Sequence, residues 1–269
     1  MNSKELAWNI RNDALSMIHK ANTSHIGSIL SVTDLIAVLY SDIMNYDPKN
    51  PDWDERDRFI LSKGHGGAAL YSALSQCGFY SRDELKSYCK NGSKFSGHVS
   101  SFGVNGVEVS TGSLGHGLSI GAGMALAGKL DNKKFNVFVI LGDGECNEGS
   151  IWESVMFSNQ QKLDNLICIV DFNKLQGLGR DVLSIDPLHT KWESFGWNVK
   201  VIDGHNHDEI RESVNYFINN KNSKPSVIIA NTIKGKGVSF MEDKLEWHYH
   251  SVTDSQYKTA INELNVVKP

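Results

Sequence analysis

Two apolar runs constrain what this chain can fold into. Phe135 to Leu141 reads FNVFVIL, and Leu166 to Val170 reads LICIV. Each reads as a buried strand. The first runs into Gly142-Asp143-Gly144-Glu145-Cys146-Asn147-Glu148-Gly149, and the second into Asp171-Phe172-Asn173-Lys174-Leu175-Gln176. In an open parallel sheet, ligands bind outside the carboxyl ends of the strands. Two neighbouring strand ends would bring one carboxylate, Asp143, and one amide, Asn173, to the same point. Such hard oxygen donors suit Mg²⁺ shared with a diphosphate.

The glycines fit that reading. Gly142 and Gly144 let the backbone turn sharply and approach a bulky anion. A helix expected over 149–161 would aim its N-terminus at that anion. Gly-Asp-Gly by itself is ordinary turn chemistry. The second polar tip, after its own strand, makes the pair informative.

Alternating elements extend the pattern. Helical spacing is expected over 4–21, and again from Val32 to Ile43 with Ser31 or Thr33 as cap. Arg58-Phe59-Ile60-Leu61 reads as a short strand, with helices over 66–76 and 81–89. The Gly- and Ser-rich stretch 91–113 reads as an ordered functional loop. Then come helix 115–130, strand 135–141, helix 149–161, strand 166–171, loop 173–186, helix 187–195, strand 198–202, helix 207–220 and strand 226–231. Another loop covers 234–251, and a closing helix covers 253–265. This order predicts an α/β fold, a parallel sheet with helices on both faces. No Pro- or Ser-rich linker interrupts it, so residues 1–269 are expected to form a single domain.

Bulk composition excludes several classes. Hydrophobic residues make up 40% and charged residues 22%, an ordinary globular mixture. A net charge of −4 leaves no nucleic-acid or anionic-membrane footprint. The 4 cysteines (Cys77, Cys89, Cys146 and Cys168) form no CxxC pair, which argues against a disulfide framework or zinc site and suits a reducing compartment. The N-terminus has no apolar leader, and nowhere do about 18 apolar residues run together. A cytoplasmic protein is expected. Of the 10 histidines, His25, His65, His98, His116 and His248 lie in Gly-rich or turn-like contexts.

The pair of strand-end segments resembles the thiamine diphosphate motif of thiamine-dependent enzymes. The flanking text narrows the resemblance to the transketolase family, and within it to N-terminal halves of split transketolases. Five further segments match in order: SHIGS at 24–28, LSKGHG at 61–66, SGH at 96–98, TGSLGHG at 111–117 and NTIKGKG at 231–237. Each alone is weak, whereas the ordered set, from about residue 5 to 265, is specific.

The resemblance implies a diphosphate-binding module of the thiamine diphosphate fold. Asp143, Asn173 and the Leu175 carbonyl would hold Mg²⁺. His65 would contact the diphosphate. Gly112, Ser113 and Leu114 would line the cofactor's rings, and Gly142, Gly144 and Glu145 belong to the motif itself. His116 departs from the family's frequent Gln, so a direct cofactor contact there stays open. Glu148 and Glu153 would join a carboxylate chain between two active sites across a subunit interface; a helix N-terminus attracts Glu without any such role. His25, His98 and His248 would line the substrate channel and handle sugar hydroxyls. His250 is an alternative match to His248.

The implied activity is ketol transfer from a ketose phosphate to an aldose phosphate, with the cofactor as electron sink, as in the pentose phosphate pathway. The family also uses a Glu from a pyrimidine-binding module, for which this chain has no room. A separate C-terminal transketolase subunit is expected to supply it, in an α₂β₂ assembly. Other readings stay open: a specialised split transketolase for sulfo- or branched-sugar phosphates, a 1-deoxyxylulose-5-phosphate synthase-like half, the first component of a keto-acid dehydrogenase, or a non-catalytic scaffold or regulatory subunit. The three channel histidines argue against the dehydrogenase.

Overall fold

Five strands form one parallel sheet: β1 (Arg58–Leu61), β2 (Val137–Gly142), β3 (Leu166–Phe172), β4 (Asn198–Asp203) and β5 (Ser226–Asn231). Their order across the sheet is β1-β2-β3-β5-β4. The computed structural model describes residues 1–180 and 182–269. The helices are α1 (Ser3–Ala21), α2 (Ile26–Val38), α3 (Gly67–Gln76), α4 (Gly117–Leu130), α5 (Gly149–Gln160), α6 (Leu188–Ser194), α7 (His207–Asn219) and α8 (Asp254–Val266).

Side chains alternate across a strand, so each central strand feeds two cores. Phe138, Ile140, Ile167, Ile169 and Ile228 point into the larger one, with α1, α2, α3 and α7. Val137, Val139, Leu141, Cys168, Val170 and Val227 point into the other, with α4, α5 and α6. Burial on both faces explains why these strands are continuous apolar runs rather than alternating ones. The expected α/β sheet with helices on both faces is present. In its register Gly142 of β2 pairs with Asp171 of β3. The two polar loop tips therefore leave the sheet side by side.

Several boundaries differ from the sequence expectation. Helix α2 begins at Ile26, not Val32, and ends at Val38 before a wider π turn over Leu39–Ile43. Neither expected cap is one. The Ser31 hydroxyl donates to Asp171 at 2.7 Å, and Thr33 donates back to the Ile29 carbonyl at 2.8 Å, so both lie inside the helix. His25, in the left-handed region at φ 75°, stands at the N-terminus without a side-chain cap. Residues 82–87 form a 3₁₀ turn rather than a helix over 81–89, because Tyr88 is extended and Cys89 left-handed. Helix α4 starts at Gly117, after Gly115 turns with φ 87°. The loop over 234–251 carries a 3₁₀ turn at Leu245–His248.

Ile26–Ile43 has a mean hydropathy of 1.5 and the length of a membrane span, but 83% of it is buried within the fold. It includes Ser31, Thr33 and Asp34, all turned inward. It reads as the core helix of this sheet.

Helix α4 reaches the sheet through glycine. A Cβ at Gly121 would stand 2.5 Å from Val139 Cγ2 on β2. Gly121→Val is expected to destabilise the protein by about 1–3 kcal/mol through overpacking. A lower denaturant midpoint at unchanged slope would show it.

Candidate active site

Three strand ends converge on Asp171. This carboxylate is fully buried at the end of β3. It accepts from Lys63 Nζ at 2.5 Å, from the Ser31 hydroxyl at 2.7 Å and from the Thr232 hydroxyl. Lys63 follows β1 and Thr232 follows β5, so the ion pair joins the ends of both strands to α2. Lys63 is itself 1% exposed.

Asp143 lies beside this pair and is 5% exposed. Its Oδ1 accepts the Gly144 amide at 2.7 Å, while its buried Oδ2 has no hydrogen-bond partner among the described residues. Burial, and then the nearby Asp171, push its pKa up, with the Gly144 amide, Lys63 and the Lys174 amide acting the other way. An uncompensated carboxylate oxygen in a dry site is costly without a cation or donor.

The Asn173 Oδ1 accepts the Leu175 amide at 3.0 Å, and the Leu175 carbonyl accepts Lys234 Nζ at 3.0 Å. Each oxygen keeps a second lone pair. Lys174 reverses the chain between them at φ 59°. One carboxylate oxygen, one amide oxygen and one carbonyl are therefore available at adjoining loop tips. Among the described residues, no three His, Cys, Asp or Glu side chains are placed to bind a metal by themselves. An ion here would need ligands from a bound molecule, which suits Mg²⁺ and phosphate. The residues present fit that group.

Four histidines meet over these tips. The His25 ring centroid lies 5.3 Å from His65, 5.6 Å from His98 and 5.0 Å from His248, and His65 lies 5.4 Å from His248. Burial, with His98, Lys234 and Lys63 nearby, lowers the His25 pKa to about 4. Burial and then Lys234 lower that of His248 to about 3. Burial and Lys63 hold His65 well below its ordinary value. All three are neutral near pH 7. Lys234 Nζ lies 2.8 Å from His248 Nδ1 and donates to it, leaving His248 with an Nε2–H. His250 lies outside the group, edge-on to Trp247 at 6.4 Å.

The remaining expected residues fall in other places. Gly112 has φ 147°, and a Cβ there would approach the His98 ring at 3.0 Å, so the segment lies against the histidines. Ser113 is exposed and Leu114 half-buried beside it. Gly142 and Gly144 flank Asp143, and Gly144 lies against the Gln176 side chain. Glu145 is 1% exposed with both oxygens committed internally. It accepts from the Ser62 hydroxyl, from the Gly115 amide at 2.9 Å and from the Gly142 amide at 3.1 Å. It therefore clasps three loops. Exposed His116 turns Nδ1 toward the Leu114 carbonyl at 3.1 Å. Glu148, just before α5, and Glu153, on it, are both exposed.

Sequence reasoning does not single out Lys63, Lys234 or Asp171. Both lysines lie beside glycines in polar loops, which reads as solvated charge. Asp171 reads as the last residue of a strand. Only the fold shows that all three are buried together.

Residues 2–265 match the family model described as transketolase, thiamine diphosphate binding domain. The chain belongs to the transketolase family. It is 44% identical over 257 residues to a 6-deoxy-6-sulfo-D-fructose transketolase subunit of Clostridium sp. (strain MSTE9), covering 95% of this chain and 93% of that protein. It is 43% identical over 259 residues to an apulose-4-phosphate transketolase subunit of Phocaeicola vulgatus, covering 95% and 91%. Among solved structures, transketolase from Campylobacter jejuni superposes with TM-score 0.92 at 31% identity, over 98% of this chain and 43% of that one. Transketolase from Leishmania mexicana gives TM-score 0.92 at 28% identity, over 98% and 41%. This transketolase chain is thus an N-terminal, thiamine diphosphate-binding subunit that spans less than half of those longer enzymes.

The neutral histidines set a pH dependence. With folded pKa values of about 4 and about 3 against an ordinary 6.5, His25 and His248 bind fewer protons folded than unfolded in that window. Their contribution is complete above about 6.5 and is lost as pH falls toward the folded values. Urea unfolding at descending pH is expected to show this loss, with a shallower slope in His25→Asn.

Proposed function

We propose that this chain is the diphosphate-binding half of a two-subunit transketolase that moves a two-carbon ketol group between sugar phosphates with thiamine diphosphate and Mg²⁺. The observation that carries the reading is the buried, unpartnered Asp143 Oδ2 at the same loop tips as Asn173 and the Leu175 carbonyl. These three would hold the Mg²⁺ and, through it, the diphosphate. Lys63 and Lys234 keep positive charge close by, and His65 stands over the tips as a neutral donor. When bound, thiamine diphosphate supplies an electron sink for cleaving the bond beside a ketose carbonyl.

This chain's own part is binding and proton handling. His248 offers Nε2–H to a sugar hydroxyl, its other nitrogen being occupied by Lys234. The His25 Nδ1 has no hydrogen-bond partner among the described residues, and its neutral ring can accept a hydroxyl proton. His98 completes the wall. Neutral imidazoles can act as bases at pH 7, whereas imidazolium rings could not. The exposed Glu148 and Glu153 would meet their counterparts where two copies of the chain pair. A C-terminal subunit with the pyrimidine-binding module would close the site in an α₂β₂ assembly. Four unpaired cysteines suit a cytoplasmic setting.

The names of the relatives favour a specialised sugar. Identity is 44% and 43% to the subunits for sulfofructose and apulose 4-phosphate, against 35% to human transketolase. Ordinary transketolase substrates of the pentose phosphate pathway remain the competing reading. A screen of 6-deoxy-6-sulfo-D-fructose, apulose 4-phosphate and simple ketose phosphates against aldose phosphate acceptors separates them.

Two measurements test the assignment. Asp143→Asn is expected to weaken Mg²⁺-dependent thiamine diphosphate binding at least about 100-fold, measured by calorimetry on the co-purified complex. Ketol transfer is expected only with the partner subunit present. Robust turnover by the chain alone would overturn the split-site reading.

A further inference from the structure

A second buried polar cluster stands behind the active site, outside the machinery described above. Asp34 on α2 is buried in the middle of it. Arg11 on α1 grips both its oxygens, at 2.9 Å and 2.6 Å. His205 Nδ1 lies 2.7 Å from Asp34 Oδ2, and His207 Nε2 lies 3.1 Å from Oδ1. Burial would raise the Asp34 pKa, but Arg11 and the two histidines hold it well below the carboxylate range. It is a carboxylate, which only accepts. His205 must therefore donate its Nδ1–H.

The other His205 nitrogen has a different partner. The Ile233 amide donates to His205 Nε2 at 2.8 Å. An acceptor at Nε2 and a donor at Nδ1 define a neutral ring in one tautomer. Asp34 selects that tautomer and the ring passes the choice on to a backbone amide. An acid–histidine pair of this kind is familiar in catalysis, yet here its far end meets the main chain.

That amide belongs to the segment that supplies the active site. Thr232, one residue before it, donates to Asp171. Lys234, one residue after, reaches the Leu175 carbonyl and His248. The segment is approached closely from the β4–α7 turn. A Cβ at Gly204 would lie 2.4 Å from Thr232 Cγ2 and 3.0 Å from Ala230 Cβ. Glycine there lets the backbone of His205 come up against the end of β5.

We infer that His205 is a positioning residue: the Asp34–His205 pair fixes the Ile233 amide and thereby aims Lys234 at the Leu175 carbonyl and His248. The two lysine contacts need Nζ at one point between a carbonyl and a ring nitrogen. A small shift of the main chain at 233 moves the base of that side chain. The inference rests on the proposed diphosphate site for its effect on cofactor binding. The geometry of the relay itself does not depend on that reading.

The test compares wild type, His205→Phe and His205→Gln. Phe removes both ring nitrogens, whereas the Gln side-chain oxygen can accept the Ile233 amide in place of Nε2. Proton–nitrogen correlation spectra of the full chain are expected to show wild-type His205 with a protonated Nδ1 and a bare Nε2. His205→Phe should displace the His248 ring signals and expose the Ile233 amide to hydrogen exchange. His205→Gln should restore both. In the complex with its partner, His205→Phe should weaken Mg²⁺-dependent thiamine diphosphate binding about tenfold, as expected when a buried donor loses its acceptor, and His205→Gln should recover most of it.

The inference is overturned if wild-type His205 carries its proton on Nε2. It is overturned equally if His205→Phe leaves the His248 signals unmoved, or if His205→Gln is as disturbed as Phe. The spectroscopic arm decides even if the Phe variant unfolds, because the wild-type tautomer needs no substitution. If wild type binds no thiamine diphosphate, the proposed cofactor site fails while the spectra still judge the relay.

Discussion

The open edge of the sheet depends on one buried ion pair, Lys63 with Asp171. Asp171 is inaccessible to solvent, and it is held from β1's end by Lys63, from α2 by Ser31 and from β5's end by Thr232. A buried pair of this kind contributes little net stability compared with apolar packing, yet breaking it by removing one partner costs about 3–5 kcal/mol. Its consequence is geometric. Strand ends that would otherwise splay are held at one spacing, and Asp143 is placed beside a neutralised carboxylate instead of a free one.

The same pair organises the electrostatics. Asp171 has its cation and Asp143 does not, so the site retains one unsatisfied negative oxygen beside two lysines. Lys63 and Lys234, both buried, depress the histidines above them. Burial and then Lys63 lower the Lys234 pKa to about 8. Positive charge is thus concentrated at the strand ends, and His25, His65 and His248 stay neutral. Both properties come from withholding water, since the same groups in solvent would titrate ordinarily.

Much of this was legible in the residues. The runs 135–141 and 166–170 announced buried parallel strands, and their polar ends announced Asp143 and Asn173 as neighbours. Helix α2 begins at Ile26, six residues before the helix expected from Val32, and so takes in Gly27 and Ser28. Here a Cβ at Gly27 would meet Lys234 and Trp247 at 3.1–3.2 Å, so packing overrides propensity. The expected helix at 81–89 failed because a short segment with a left-handed residue at Cys89 gains too little packing to sustain α-helical turns. Glu145 belongs to the motif by its position, and in the fold its carboxylate clasps Ser62, Gly115 and Gly142. Spacing along the chain cannot show which way a loop side chain turns.

By itself, the sequence determined the elements, their parallel order and the two loop tips, because hydrophobic periodicity and turn chemistry are local properties. It also determined that histidines and glycines cluster in loops. Tertiary structure alone decided that four of those histidines share one wall, that His248 and not His250 joins them, and that two loop lysines are interior. It also decided that Asp34 and His205 meet behind Lys234. These facts join residues far apart in the chain, and burial sets their charge states. Neither distance in space nor exclusion of water can be read from the order of residues.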